Sequence, residues 1–146
     1  MTDQGWTEVQ FEELTEKVIG CAYAVHNKMG FGFLESVYEK CLAIELQKAG
    51  LACQVQQPLN VYYDDALVGQ FLADIVVEDR LILELKSSRS IARKHEVQLV
   101  NYLVATGMDV GLVINFGADK VEVKRKVRSL KQLRGMDELN AEDSTG

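Results

Sequence analysis

The sequence predicts an α/β sandwich, a sheet covered by helices, and three observations carry that reading. Apolar residues recur at helical spacing from Phe11 to Ala49, alternate with a period of two from Leu51 to Lys86, and return to helical spacing near Ile91 before two last strand-like runs. The chain of 146 residues suits one domain, since folding at this length hides roughly 68–70% of the surface an unfolded chain exposes. No repeat or linker interrupts it. Residues 1–146 therefore read as a single domain, with an acidic segment at 1–10 and an acidic, flexible tail at 135–146.

Phe11, Leu14, Val18, Cys21, Ala22 and Val25 predict a first amphipathic helix from Phe11 to about Met29, ended by Gly30 and Gly32. A second helix is expected from Leu34 to Ala49, with Val37, Tyr38, Cys41, Leu42, Ile44 and Leu46 apolar and Gly50 placed as its C-terminal cap. Leu51–Val55, Leu59–Tyr63, Leu67–Val77 and Leu81–Lys86 then read as strands of an antiparallel meander, separated in its later part by Asp64-Asp65 and Glu78-Asp79-Arg80. A third helix runs from Ile91 to Ala105 and stops at Gly107. Val110–Phe116 and Lys120–Val127 complete the set, the first continuous enough in Val, Leu and Ile to lie centrally in the sheet.

Composition is that of a globular protein, 47% hydrophobic and 26% charged with one proline, which excludes collagen-like, mucin-like and low-complexity classes. Apolar runs are too short to cross a bilayer as a helix, and Met1-Thr2-Asp3-Gln4 lacks the basic and apolar regions of a secretory signal. Cys21, Cys41 and Cys53 are odd in number and far apart, so neither a disulfide framework nor a CxxC metal site is expected, and a cytoplasmic location follows. The net charge of −6 is unevenly spread. Residues 1–16 and 135–146 hold nine of the 22 acids and none of the 16 bases, leaving the body from 17 to 134 at +3. Lys120, Lys124, Arg125, Lys126, Arg128, Lys131 and Arg134 form one basic group, and Arg89, Arg93 and Lys94 a second. Either group is a candidate nucleic-acid surface or a solvated face.

The informative stretch is Leu72 to Lys86, LADIVVEDRLILELK. If Glu78-Asp79-Arg80 forms a three-residue hairpin loop, Val77 pairs with Leu81 and Asp74 stands opposite Glu84. Ala73, Ile75, Val77, Leu81, Leu83 and Leu85 then share one core face. Asp74, Glu84 and Lys86 share the other with Leu72, Val76 and Ile82. Like charges opposed in this way repel. A divalent cation relieves that, because Mg²⁺ is commonly held by one or two carboxylates with water and substrate phosphate. Lys86 suits the neutralisation of charge on a phosphoryl oxygen. The same spacing admits a plainer reading, in which Lys86 alone neutralises the pair.

An acid, nine intervening residues and Glu84-Leu85-Lys86, set in a meander between helices, resemble the PD-(D/E)XK nuclease superfamily. Gly32-Phe33-Leu34-Glu35-Ser36-Val37-Tyr38 resembles the motif that names the GxxExxY protein family, and the likeness continues through Ala43–Leu46, Gln98–Leu103 and Gly111–Phe116, over about residues 14–127. The resemblance implies an α-β-β-β-α-β nuclease-like core with a mixed central sheet flanked by helices. It implies Asp74 and Glu84 as ligands of Mg²⁺ or Mn²⁺, joined by the Leu85 carbonyl and Glu35, with Lys86 as catalytic lysine. Gln98 and Tyr102 match the QxxxY element of RecB-like exonucleases and would position substrate. Ala73 stands where the eponymous motif has proline.

The residues themselves leave other roles open. Glu35 lies in a first helical turn, where the helix dipole favours a carboxylate. Gln98 and Tyr102 share a helix face with His95 and would also suit the polar rim of a core helix. Tyr38 is expected to pack in the core or orient Glu35, and Glu45 to lie about 15 Å along the helix from Glu35 and outside one metal shell. The expected function is a divalent-metal-dependent phosphodiesterase acting on nucleic acid, with DNA as the expected substrate. The alternatives are a non-catalytic module that keeps the fold and binds nucleic acid or protein, and a structural dimerisation domain. The modest basic surface points to a homodimer or a recruiting partner.

Overall fold

The computed structural model describes residues 5–128, so the acidic tail at 135–146 and the basic residues Lys131 and Arg134 lie outside the described residues. Its elements are α1 (Glu8–Met29), α2 (Glu35–Lys48), β1 (Cys53–Tyr63), β2 (Ala66–Val77), β3 (Leu81–Lys86), α3 (Arg93–Thr106), β4 (Val110–Asn115) and β5 (Glu122–Val127). They build one five-stranded sheet in the order β1-β2-β3-β4-β5. β1, β2 and β3 form the expected antiparallel meander, β4 runs parallel to β3 across the α3 crossover, and β5 returns antiparallel. The sheet is therefore mixed, and β4 is buried throughout.

Two cores hold the layers together. On one face α1 and α2 supply Phe11, Leu14, Val18, Ala22, Val25, Tyr38, Leu42 and Leu46 against Ile75, Val77, Leu81, Leu83, Leu85, Leu112 and Ile114. On the other, Leu99 and Leu103 of α3 meet Phe71, Ala73, Val76, Ile82 and Val113. Gly111 makes that second contact close, since a Cβ there would meet Leu99 Cδ1 at 3.0 Å and the Ile82 carbonyl oxygen at 3.2 Å.

Boundaries moved where capping chemistry decided them. α1 begins three residues before Phe11 because Thr7 and Gln10 form a reciprocal capping box, with Gln10 N–H donating to Thr7 Oγ1 (3.2 Å) and Thr7 N–H to Gln10 Oε1 (2.8 Å). α3 begins at Arg93 rather than Ile91, with Ala92 as its N-cap residue in extended backbone (φ −79°, ψ 146°). The two strands expected at Leu51–Val55 and Leu59–Tyr63 are one strand, β1. It is an edge strand, and Pro58 is tolerated there because it lacks only a donor. Ile44, expected on the apolar face of α2, is 57% exposed.

Ala73 departs from the expected alternation. It packs with Phe71, Val76 and Ile82, whereas Ile75 and Val77 face the α1–α2 core. The inside-out sense of β2 thus switches between Ile75 and Ala73. The switch falls at Asp74, whose partner position on β1 is Gln56, at φ 53°. Beyond it β2 pairs with β1 alone and the two strands continue as an arm, on which Tyr62, Tyr63, Leu67 and Val68 are exposed.

Candidate functional site

The β2–β3 hairpin has the expected register: Val77 faces Leu81, Val76 faces Ile82 and Ile75 faces Leu83. Glu78 and Asp79, both at φ 55°, close the three-residue loop. One step beyond Ile75 and Leu83 stand Asp74 and Glu84, and there side chains take over from the backbone ladder. Asp74 N–H donates to Glu84 Oε2 (3.2 Å), and Leu85 N–H donates to Asp74 Oδ2 (2.7 Å). Each carboxylate therefore holds the opposite strand, and the two acids are fixed face to face.

Both are half-buried. Burial pushes the Glu84 carboxyl up to about 8, and the charges of Asp74 and Glu35 add to the rise, while the Asp74 N–H and the Lys86 ammonium oppose it. Lys86 stands two residues along β3, and its charge acts on Glu84 and on His95 of α3. Lys86 carbonyl oxygen accepts from Phe116 N–H (2.9 Å) on the β4 side. Successive carbonyls of a strand point opposite ways. The Leu85 carbonyl is thereby turned toward Asp74.

Glu35 opens α2 and is exposed, beside a cavity of about 310 Å³ that it lines with Phe33, Leu34 and Ser87. The loop before it is latched. Tyr38 is fully buried, stacks on Phe116 (4.6 Å between centroids, 5° between planes), donates from Oη to the Gly30 carbonyl (2.6 Å) and accepts from Phe33 N–H (3.3 Å). Ser87 Oγ, just after β3, donates to the Phe33 carbonyl (2.7 Å) and ties the loop to the end of that strand. Ser88 is clamped in turn: its N–H donates to buried Asn115 Oδ1 (3.0 Å) and its carbonyl accepts from Asn115 Nδ2 (2.9 Å). Gly117 permits this approach, since a Cβ there would fall 2.2 Å from Ser88 N.

Asp74 and Glu84 thus come together, and the charges of Lys86 and Glu35 are felt at Glu84. Gln98 and Tyr102 line a groove of about 710 Å³ with Arg93, Lys94, Val97 and Asn101, and neither Asp74 nor Glu84 lines it. Tyr102 stacks on Phe71 (3.7 Å, 8°). Glu45 is held by Lys28 (3.3 Å) and Lys48 (3.0 Å). In the basic group, Lys126 pairs with Glu96 (2.6 Å) and Arg128 with Asp109 (2.7 Å), so part of its charge is spent within the protein.

Three further residues belong to the neighbourhood. His95 is half-buried, its pKa lowered by burial first and then by Lys86 and Lys94, and its Nδ1 is buried without a hydrogen-bond partner. Glu39 lies one turn after Glu35, and its carboxyl is raised by burial and by Asp74 against a Gln56 hydrogen bond. Gln56 Nε2 donates to Glu39 Oε2 (2.8 Å) and Asp74 Oδ1 (3.3 Å). The four-residue step from Glu35 to Glu39 is a signal the sequence offered. Gln56 gave none, because its contacts exist only in the β1–β2 register.

The donor set fits a hard divalent cation: carboxylate oxygens, a carbonyl turned the same way, and negative charge that burial leaves poorly neutralised. Among the described residues no three His, Cys, Asp or Glu side chains are grouped as a ready cage. Mg²⁺ requires no such cage, since it keeps several waters.

A family profile described as the PD-(D/E)XK nuclease superfamily matches residues 12–126. Among solved structures, the crystal structure of SSO0001 aligns with a TM-score of 0.51 at 20% identity, over 84% of this chain and 62% of that one. No curated protein matches the sequence.

Proposed function

Because the chain belongs to the PD-(D/E)XK nuclease superfamily, we propose that it is a divalent-metal-dependent phosphodiesterase acting on nucleic acid, with DNA as substrate. The observation that carries this reading is the Asp74–Glu84 pair, each carboxylate anchored by a backbone N–H of the other strand, with the charge of Lys86 acting on Glu84. Asp74, Glu84, the Leu85 carbonyl and Glu35 would hold Mg²⁺ or Mn²⁺, which when bound supplies Lewis acidity toward the scissile phosphate. Glu84 must give up its proton to become a ligand, and the Lys86 ammonium favours that loss. Lys86 then donates to a phosphoryl oxygen as negative charge develops on it. His95 stays neutral beside these groups, since burial and two lysines disfavour its cation.

Nucleic acid would lie along the α3 groove, with Arg93 and Lys94 on phosphates and Gln98 and Tyr102 positioning the strand. With Lys126 and Arg128 already paired, a homodimer or recruiting partner would supply further basic surface. Within the superfamily we assign the chain to the proteins named for the GxxExxY motif, supported by Gly32, Glu35 and Tyr38 at the latch of the site. A cytoplasmic location is supported by three free cysteines. No helix among the described residues is long and apolar enough to cross a membrane. That no three His, Cys, Asp or Glu side chains are grouped among the described residues favours one rival, a non-catalytic module that binds nucleic acid or protein.

The test is cleavage of single- and double-stranded DNA and RNA in Mg²⁺ or Mn²⁺ by the wild type, Asp74→Asn, Glu84→Gln and Lys86→Ala. Each variant should lose about 100-fold or more in rate. Cleavage that survives all three would assign the activity to other residues, and a wild type that cleaves none of these substrates would leave the binding module as the function.

A further inference from the structure

Gln56 lies in mid-strand at φ 53°, a left-handed conformation that is strained for a residue with a Cβ. Neither neighbour in β1 shares it. Such strain persists where surrounding contacts fix it, and here they are two carboxylates on two other elements. Its Nε2 carries two hydrogens and meets two acceptors, Glu39 Oε2 on α2 at 2.8 Å and Asp74 Oδ1 on β2 at 3.3 Å. The other Asp74 oxygen, Oδ2, accepts Leu85 N–H at 2.7 Å. One donor on each oxygen fixes the plane of the carboxylate and leaves a lone pair on each.

We infer that Gln56 is a positioning residue that sets the orientation of the Asp74 carboxylate toward the metal, and that Glu39 serves as its anchor rather than as a ligand. The inference rests on the metal-site reading above and adds to it the residues that aim the first ligand. Gln56 twists back from β1 so that its amide reaches over Asp74, and Glu39 holds that amide in place. The same amide stands between two acids that would otherwise repel.

Mn²⁺ binding by the full chain, followed by electron paramagnetic resonance of the free ion without nucleic acid, reads this directly. Gln56→Gly keeps the backbone conformation and removes the amide, while Gln56→Asn tolerates that conformation with an amide one methylene too short to bridge. Both should weaken Mn²⁺ binding by about 10–100-fold, with urea midpoints showing that the fold is kept. Glu39→Gln retains an acceptor for Gln56 and should bind Mn²⁺ as the wild type does, whereas Glu39→Ala should weaken it. Wild-type affinity in both Gln56 variants would overturn the inference and leave the metal site standing. Loss of binding in Glu39→Gln equal to that in Glu39→Ala would make Glu39 a ligand and also overturn it. A wild type that binds no Mn²⁺ would overturn both readings together.

Discussion

A carboxylate buried beside another carboxylate resists ionisation, and Glu84 is so placed, its pKa pushed up to about 8 by burial and by Asp74. The folded chain therefore keeps the Glu84 proton between the unfolded value of 4.5 and about 8, while the unfolded chain releases it. Stability from this group is fully present below the unfolded pKa and is lost as pH rises through the folded one. His95, depressed from 6.5, acts in the opposite sense below that value, so the two are separated by mutation. In a chelator, the melting temperature of the wild type should fall relative to Glu84→Gln between about pH 5 and 8; parallel curves would mean that Glu84 ionises normally. Mn²⁺ affinity should rise over the same range, as ligation displaces that proton. At this scale the pair was legible in the sequence because a hairpin loop and a period of two fix which residues oppose each other. Gln56 was not, since it acts through a strand pairing that no local pattern encodes, and Glu39 was signalled only by its four-residue step from Glu35.

Individual elements were legible to the extent that their own hydrophobic period decided them. The β2–β3 hairpin follows its sequence, Ile75 facing Leu83 across a three-residue loop. Alternation fails at Ala73 next to the position where Gln56 leaves the extended backbone at φ 53° and hydrogen-bonds Asp74, and a departure tied to tertiary hydrogen bonds leaves no periodic trace. The start of α1 was missed although Thr7 and Gln10 carry the capping signal, because the apolar stripe begins later. The loop from Gly30 to Leu34 has no period at all, and Tyr38 fixes it from the following helix. Tyr38→Phe keeps the stack on Phe116 but strands the Gly30 carbonyl and the Phe33 N–H. It should cost about 1–3 kcal/mol, read as a lower urea midpoint with an unchanged slope, and should weaken metal binding through Glu35. A midpoint equal to the wild type would show that the aromatic stack alone seats the loop.

On the scale of the molecule, α1 and α2 press one face of the sheet and α3 the other, and the acids meet where β2 and β3 part at the end of their short ladder. The cost of that meeting is carried by the whole fold, so relieving it should be visible as global stability. A cation that binds the native state and not the unfolded chain stabilises it by RT ln(1 + [L]/Kd), about 2.7 kcal/mol at a hundredfold excess over Kd. Millimolar Mn²⁺ or Mg²⁺ should therefore raise the melting temperature of the wild type. Glu84→Gln should lose most of that protection and be the more stable protein without metal above about pH 5, because it carries no carboxyl whose ionisation the fold suppresses. Lys86→Ala keeps both carboxylates and should keep most of the protection, yet it should abolish cleavage. Equal shifts in wild type and Glu84→Gln across a Mn²⁺ titration would place the ion away from this pair. Protection that vanishes with Glu84 and survives without Lys86 would separate holding the metal from using it.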